Sequence, residues 1–326
     1  MFRQVSTVAW VVLVAVGSFS LMTSLSGCSD QAEPSKPDAA TRKPATPETD
    51  AREPAGPDAG LRDTVEPDAE THELGVNSEP QKVVLKETAV DLGKGIKLEM
   101  LLIPAGEFLM GAPDSDMTAL RMQKPRHQVR ITKPFSLGKY LVTQEQWKAV
   151  MGKNPSQFKG AENPVEMVSW EDCQQFLTKL NASSGTQGGT FVLPTEAQWD
   201  YACRAGSKAR YCFGNDESKL GEYAWYFGNA GGKPHPVGEK KPNAWGLYDM
   251  HGNVWEYCQD WYDGSYYAKS PTDDPTGPAT GSYRVMRGGS FHVPSGFCRS
   301  PYRSSHMPGG RAFSQGFRVA QVPADK

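Results

Sequence analysis

The sequence predicts an α+β domain, mixed and loop-rich, over residues 83–326. Three observations predict it. Strand-type segments come first, three helices with their own start signals come next, and beyond Gly206 both periodicities dissolve into Gly, Pro, Asn and aromatic residues.

Taken in order, Ile96–Ile103 and Glu107–Met110 read as strands around the Pro104-Ala105-Gly106 turn. Gln128–Ile131 and Pro134–Leu137 read as another strand pair. Thr143 caps a helix running to Met151, with Glu145 and Gln146 in its first turn and Trp147, Val150 and Met151 on one face. Ser169 caps a second helix to Asn181, with Asp172 completing a capping-box-like pair and Phe176, Leu177 and Leu180 as its buried stripe. Phe191–Leu193 is a short strand. Thr195 caps the third helix, to Arg204, which turns Trp199 and Ala202 inward. The long loops beyond it need pins other than secondary structure, such as metal ions or disulfides.

Six strings are too specific to follow from composition: Phe108–Gly111 (FLMG), Pro164–Trp170 (PVEMVSW), Leu193–Trp199 (LPTEAQW), Asn243–Asp260 (NAWGLYDMHGNVWEYCQD), Arg287–Phe291 (RGGSF) and Gly316–Ala320 (GFRVA). Together, and in this order, they resemble the formylglycine-generating enzyme, or sulfatase-modifying factor, family. The resemblance implies that family's loop-rich fold, related to C-type lectins, across nearly the whole chain after about residue 95. It also implies a chemistry. Two cysteines shortly after RGGSF bind copper, which activates oxygen to convert a substrate cysteine to an aldehyde. In this chain Val293 stands at the first of those positions and only Cys298 remains. Two soft thiolates suit Cu(I); one thiolate and a valine do not. Copper is therefore not expected, and Cys298 is a catalytic candidate without its partner. A substitute site from Cys298, His292 and His306 is conceivable, but no spacing demands it.

The resemblance further implies a structural calcium ion held by Asp249, the carbonyls of Gly252 and Val254, and Glu256. Calcium takes six to eight oxygens, and two carboxylates at the ends of a short turn suit it. Tyr248, Trp255 and Trp261 around that turn read as core rather than as a sugar platform. Cys173, Cys203, Cys212, Cys258 and Cys298 leave one odd thiol if pairs form; Cys203–Cys212 is locally feasible and Cys258–Cys298 would tie two loops together. Arg287, Arg299, Arg303 and Arg318 crowd the same region, and Arg299 and Arg303 could either bind an acidic ligand or tie down loop carboxylates. Ser290 has no His/Asp partner in the sequence, so a hydrolase triad finds no support.

Ahead of the domain, Val8–Leu21 is an apolar stretch after Arg3, followed by Leu25-Ser26-Gly27-Cys28. A charged start, an apolar core and a small-residue cleavage site make a secretory signal over residues 1–27. The LSGC string resembles a bacterial lipobox, implying cleavage before Cys28, acylation of its sulfur and a membrane anchor in the cell envelope. Ser29 rather than Asp comes next, which implies the outer membrane. Residues 28–82 are rich in Pro, Ala, Thr, Asp and Glu, too poor in apolar surface to offset ordering, and read as a disordered tether. The formal net charge of −2, without Lys/Arg blocks, argues against nucleic acid as a partner. Two functions are compatible with these residues. One is a calcium-stabilised, lipid-anchored module binding a protein or glycan. The other is an oxygen-dependent oxidoreductase of the formylglycine-generating type, serving sulfatase maturation or another oxidation with altered metal ligation.

Overall fold

The computed structural model describes residues 84–184 and 189–323. The signal and tether, Cys28 included, lie outside the described residues. The strands are β1 (Glu87–Asp91), β2 (Lys97–Ile103), β3 (Gly106–Met110), β4 (His127–Ile131), β5 (Phe135–Gly138), β6 (Thr190–Val192), β7 (Ala224–Trp225), β8 (His251–Gly252), β9 (Trp255–Trp261), β10 (Arg284–Arg287), β11 (Ser304–His306), β12 (Gln315–Gly316) and β13 (Ala320–Val322). The three main helices are α1 (Gln144–Met151), α2 (Trp170–Ser184) and α3 (Glu196–Arg204).

Each helix starts where its cap places it. Thr143 and Gln146 form a reciprocal capping box on α1, and Thr195 and Gln198 do the same on α3. At α2, Ser169 Oγ accepts from the Asp172 N–H at 3.1 Å, and the Ser169 N–H donates to the Asp172 carboxylate at 2.9 Å. Trp147, Phe176 and Phe317 stack beneath these helices, with Trp147–Phe176 and Phe176–Phe317 centroids each 5.4 Å apart. Phe176, Leu177 and Leu180 are buried as their spacing requires.

A five-stranded sheet runs β1-β2-β5-β13-β6, and a four-stranded sheet runs β11-β10-β9-β12. The strand positions agree with the sequence reading, but their pairing does not. β4 pairs with β3, while β5 pairs with β2 and β13, so the second expected strand pair is split between two sheets. Val129 and Ile131 alternate inward on β4, and Phe135 and Leu137 on β5. Such alternation fixes which face is buried but not which neighbour supplies the hydrogen bonds. The C-terminal β13 lies between β5 and β6, so the GFRVA string closes the main sheet and carries Arg318 into the interior.

The stretch after Gly206 is loop-rich as expected, except for β9 and β10. Disulfides do not pin it: all five cysteines of the domain are free, and only Cys212 is not fully buried. Neither Cys203–Cys212 nor Cys258–Cys298 is bonded. The pins are buried arginines.

Candidate functional site

The RGGSF string leaves β10 and turns back through Gly288 and Gly289, at φ +93° and +80°. Glycine is required at 289 by packing as well as by φ. A Cβ there would meet the Cys298 Sγ at 2.5 Å and the Cys298 Cα at 2.9 Å. The Gly252 N–H donates to the Gly288 carbonyl at 2.7 Å, and the Phe291 N–H to the Asn253 carbonyl at 2.8 Å. Two of the sequence motifs are thus clamped face to face.

Cys298 sits behind that clamp, fully buried. Burial pushes its thiol up to about 12; the Ser290 N–H opposes this and the Glu217 charge adds to it. Burial thus favours the neutral thiol. Val293 is half-buried against Tyr211, Leu220, Ala224 and Cys298, where it supplies only methyl groups. His292 next to it is exposed, with its ring set edge-on against Phe313 at 5.1 Å. The structure therefore brings Val293 and Cys298 into one apolar cluster and turns His292 away towards solvent. Among the described residues, no three His, Cys, Asp or Glu side chains gather closely enough to hold a metal ion.

One residue that the sequence reading passed over joins the two motifs. His251 Nδ1 lies 2.7 Å from the Cys298 carbonyl oxygen, and its Nε2 accepts from the Cys212 N–H at 3.1 Å. A carbonyl accepts and a backbone N–H donates, so the ring is neutral and carries its proton on Nδ1. The only sequence signal for this role is the position of His251 inside the Asp249–Glu256 turn.

That turn contains all four expected calcium ligands, but it sends its two carboxylates to different partners. Asp249, Gly252 and Asn253 take φ of +55°, +78° and +58°. Asp249 is buried; its carboxylate accepts from the Gly238 N–H at 2.8 Å and from the Asn253 amide at 3.3 Å. Burial raises its carboxyl to about 6 despite those bonds. Glu256 faces elsewhere than expected. Its carboxylate is held at both oxygens by Arg318, Nε at 2.6 Å and Nη2 at 2.9 Å, and also accepts from Trp199 Nε1 at 2.8 Å. Two carboxylates against one guanidinium leave the buried trio with a formal charge of −1. Of the two expected carboxylate ligands, Asp249 is therefore held by backbone and amide donors and Glu256 by Arg318. Of the three aromatics expected to be core, Trp255 is buried, while Tyr248 and Trp261 are half-buried.

The arginines tie down carboxylates. Arg303 grips Glu196 at 2.6 and 2.7 Å, Arg287 reaches Glu196 at 3.3 Å and Asp200 at 3.0 Å, and Arg204 reaches Asp200 at 3.1 Å. All five side chains are buried. Burial alone would raise Glu196, but Arg303 and Arg287 outweigh it and hold its carboxyl below the ordinary value. Arg299 uses Nη1 on Asp116, at 3.3 Å, and on Thr118, at 2.8 Å. Fixing loops in this way accounts for four of the region's arginines: Arg287, Arg299, Arg303 and Arg318.

A loop-rich α+β domain closed by these motifs defines a sulfatase-modifying factor domain. Residues 91–323 match the sulfatase-modifying factor enzyme 1-like domain, and the chain belongs to that family. It is 36% identical over 190 residues to the formylglycine-generating enzyme of Streptomyces coelicolor, a match covering 53% of this chain and 57% of that protein. It is 30% identical over 236 residues to the chaperone protein LppX of Paenibacillus barcinonensis, covering 57% of this chain and 80% of that one. Among solved structures it resembles Treponema denticola variable protein 1, with a TM-score of 0.66 and 32% identity over 73% of this chain and 99% of that one. It also resembles PvdO from Pseudomonas aeruginosa, with a TM-score of 0.64 and 28% identity over 75% of this chain and 99% of the other.

Proposed function

We propose that this chain is a non-catalytic member of its family: a binding module displayed from the bacterial envelope on a lipid anchor and stabilised by one calcium ion. The observation that carries the reading is the pair Val293 and Cys298. One position offers methyl groups and the other a single buried thiol, so no pair of sulfurs is available to Cu(I). The likeness to a relative named as a chaperone supports a role in holding polypeptide rather than in oxidising it. The net charge of −1 on the Asp249, Glu256 and Arg318 trio supports the cation. Metal analysis of the purified, tag-free chain tests both parts. Calcium at about one per chain with no copper is expected; copper at one per chain would overturn the reading.

The anchor is Cys28, and the outer membrane is the proposed address. Intact-mass measurement of the membrane-extracted protein should give a chain that begins at an acylated Cys28. An unmodified Cys28 thiol, or a chain still carrying residues 1–27, would remove the anchor from the proposal. The oxidoreductase reading is the alternative. It would require Cys298 to find a second ligand that the cluster around Val293 does not contain.

A further inference from the structure

The loop after Cys298 forms one wall of a groove of about 320 Å³, opposite the segment around Thr118 and Leu120. We propose that this groove takes an extended polypeptide segment in which an apolar side chain is followed by a carboxylate. The inference rests on the binding-module reading and names its partner class.

The apolar half of the site is a notch between Leu120 and the packed pair Phe297 and Tyr302, whose ring centroids lie 4.8 Å apart with the planes inclined at 43°. Leu120 completes the notch and is 45% exposed, while Phe297 is 38% exposed. Nearby, Met117 is 88% exposed. Large apolar side chains left in water around one concavity mark an interaction site rather than random surface composition. A volume near the lower end of the roughly 300–1,000 Å³ of ligand pockets suits one inserted apolar side chain with its flanking backbone.

The polar half sets the sign. Arg299 is buried and fully engaged with Asp116, Thr118 and the Gly296 carbonyl. Arg210 is not: its side chain bonds through Nη2 to Asp116 at 2.8 Å, makes no other side-chain hydrogen bond among the described residues, and is 38% exposed. Arg210 also lines an adjoining cavity of about 350 Å³ together with Lys208. Lys208, Arg210 and Arg299 against Asp116 and Glu217 give three positive charges to two negative, a local excess of +1 in a chain of formal charge −2. The half-exposed guanidinium of Arg210 lies beside the notch, and a carboxylate on the residue next to the inserted side chain can accept from its remaining N–H groups. A single excess charge with no basic stripe does not suit nucleic acid.

Fluorescence anisotropy with the full chain in detergent micelles tests this, using three labelled hexapeptide probes: Gly-Ser-Phe-Asp-Gly-Ser, the same peptide with Lys for Asp, and the same with Ser for Phe. The first should bind about tenfold more tightly than either of the others. Phe297→Ala should weaken it about tenfold. Arg210→Gln should abolish the preference for Asp over Lys, and both variants should still unfold cooperatively above the assay temperature, so that the loss is one of binding. Equal binding of the Lys probe, or binding indifferent to Phe297→Ala, would overturn the proposed chemistry. Binding of a glycan array that depends on Phe297, with all three peptides inert, would overturn the polypeptide class while leaving the binding-module reading intact.

Discussion

Replacing Glu196 with glutamine is expected to cost about 3–5 kcal/mol at neutral pH, the loss incurred when one partner of a buried ion pair is removed. Glutamine keeps the shape but not the charge. It would leave Arg303 and Arg287, both buried, facing a neutral amide, with Arg303 losing its grip at 2.6 and 2.7 Å. The same network sets a pH dependence. Arg303 and Arg287 hold the Glu196 carboxyl below its ordinary value of 4.5 in the folded chain. Its contribution is therefore complete above the unfolded value and is lost as pH falls through the folded one. Urea denaturation at pH 7 and at stepped acid pH should show the wild type losing this increment on acidification. The Glu196→Gln variant should be weak throughout and flatter in acid. A variant within about 0.5 kcal/mol of wild type at pH 7, the range of ordinary surface substitutions, would show that the network does not hold the loops together.

Gly289→Ala should cost about 2–5 kcal/mol. The left-handed backbone at φ +80° accounts for about 1–2 kcal/mol of this. Overpacking against Cys298, whose Sγ and Cα would lie at 2.5 and 2.9 Å, accounts for about 1–3 kcal/mol. Adding Cys298→Ala should return part of the loss, because it removes the clash with Sγ and leaves the clash with the backbone of residue 298. Gly296→Ala, seven residues on, is the control. It has nothing within 4 Å and no positive φ, so it should stay close to wild type in thermal melts. Equal losses at the two glycines would show that packing against Cys298 is not the cause.

Where the sequence was readable, short-range chemistry made it so. The capping residues Thr143, Ser169 and Thr195 act within three residues and formed as read, with Asp172 as the expected partner of Ser169, while the reciprocal bonds of Gln146 and Gln198 were added by the structure. The pairing of β4 and β5 was not readable, because register is settled by strands far away in the chain. β9 was missed for a related reason. Its Glu256 and Asp260 look like solvent-facing residues of a loop, yet both are buried. Glu256 is inside because Arg318, 62 residues later, goes in with it. Charge pairs of that span erase the alternation by which a strand is recognised. His251 escaped notice because its partners are a carbonyl and an N–H, which leave no side-chain signature. The absent cysteine at Val293 was legible only through the family resemblance that RGGSF helps to carry. The burial of Cys298 required the fold.

The most direct test of the non-catalytic reading is aldehyde formation on a sulfatase-type cysteine peptide, followed by mass spectrometry with copper and oxygen supplied. Formation at the level of a no-protein control is expected for the wild type, with at most a small gain from Val293→Cys, since a restored ligand pair does not restore a substrate groove. Robust conversion by the wild type, abolished by Cys298→Ser, would contradict the reading and make the domain an enzyme with altered metal ligation.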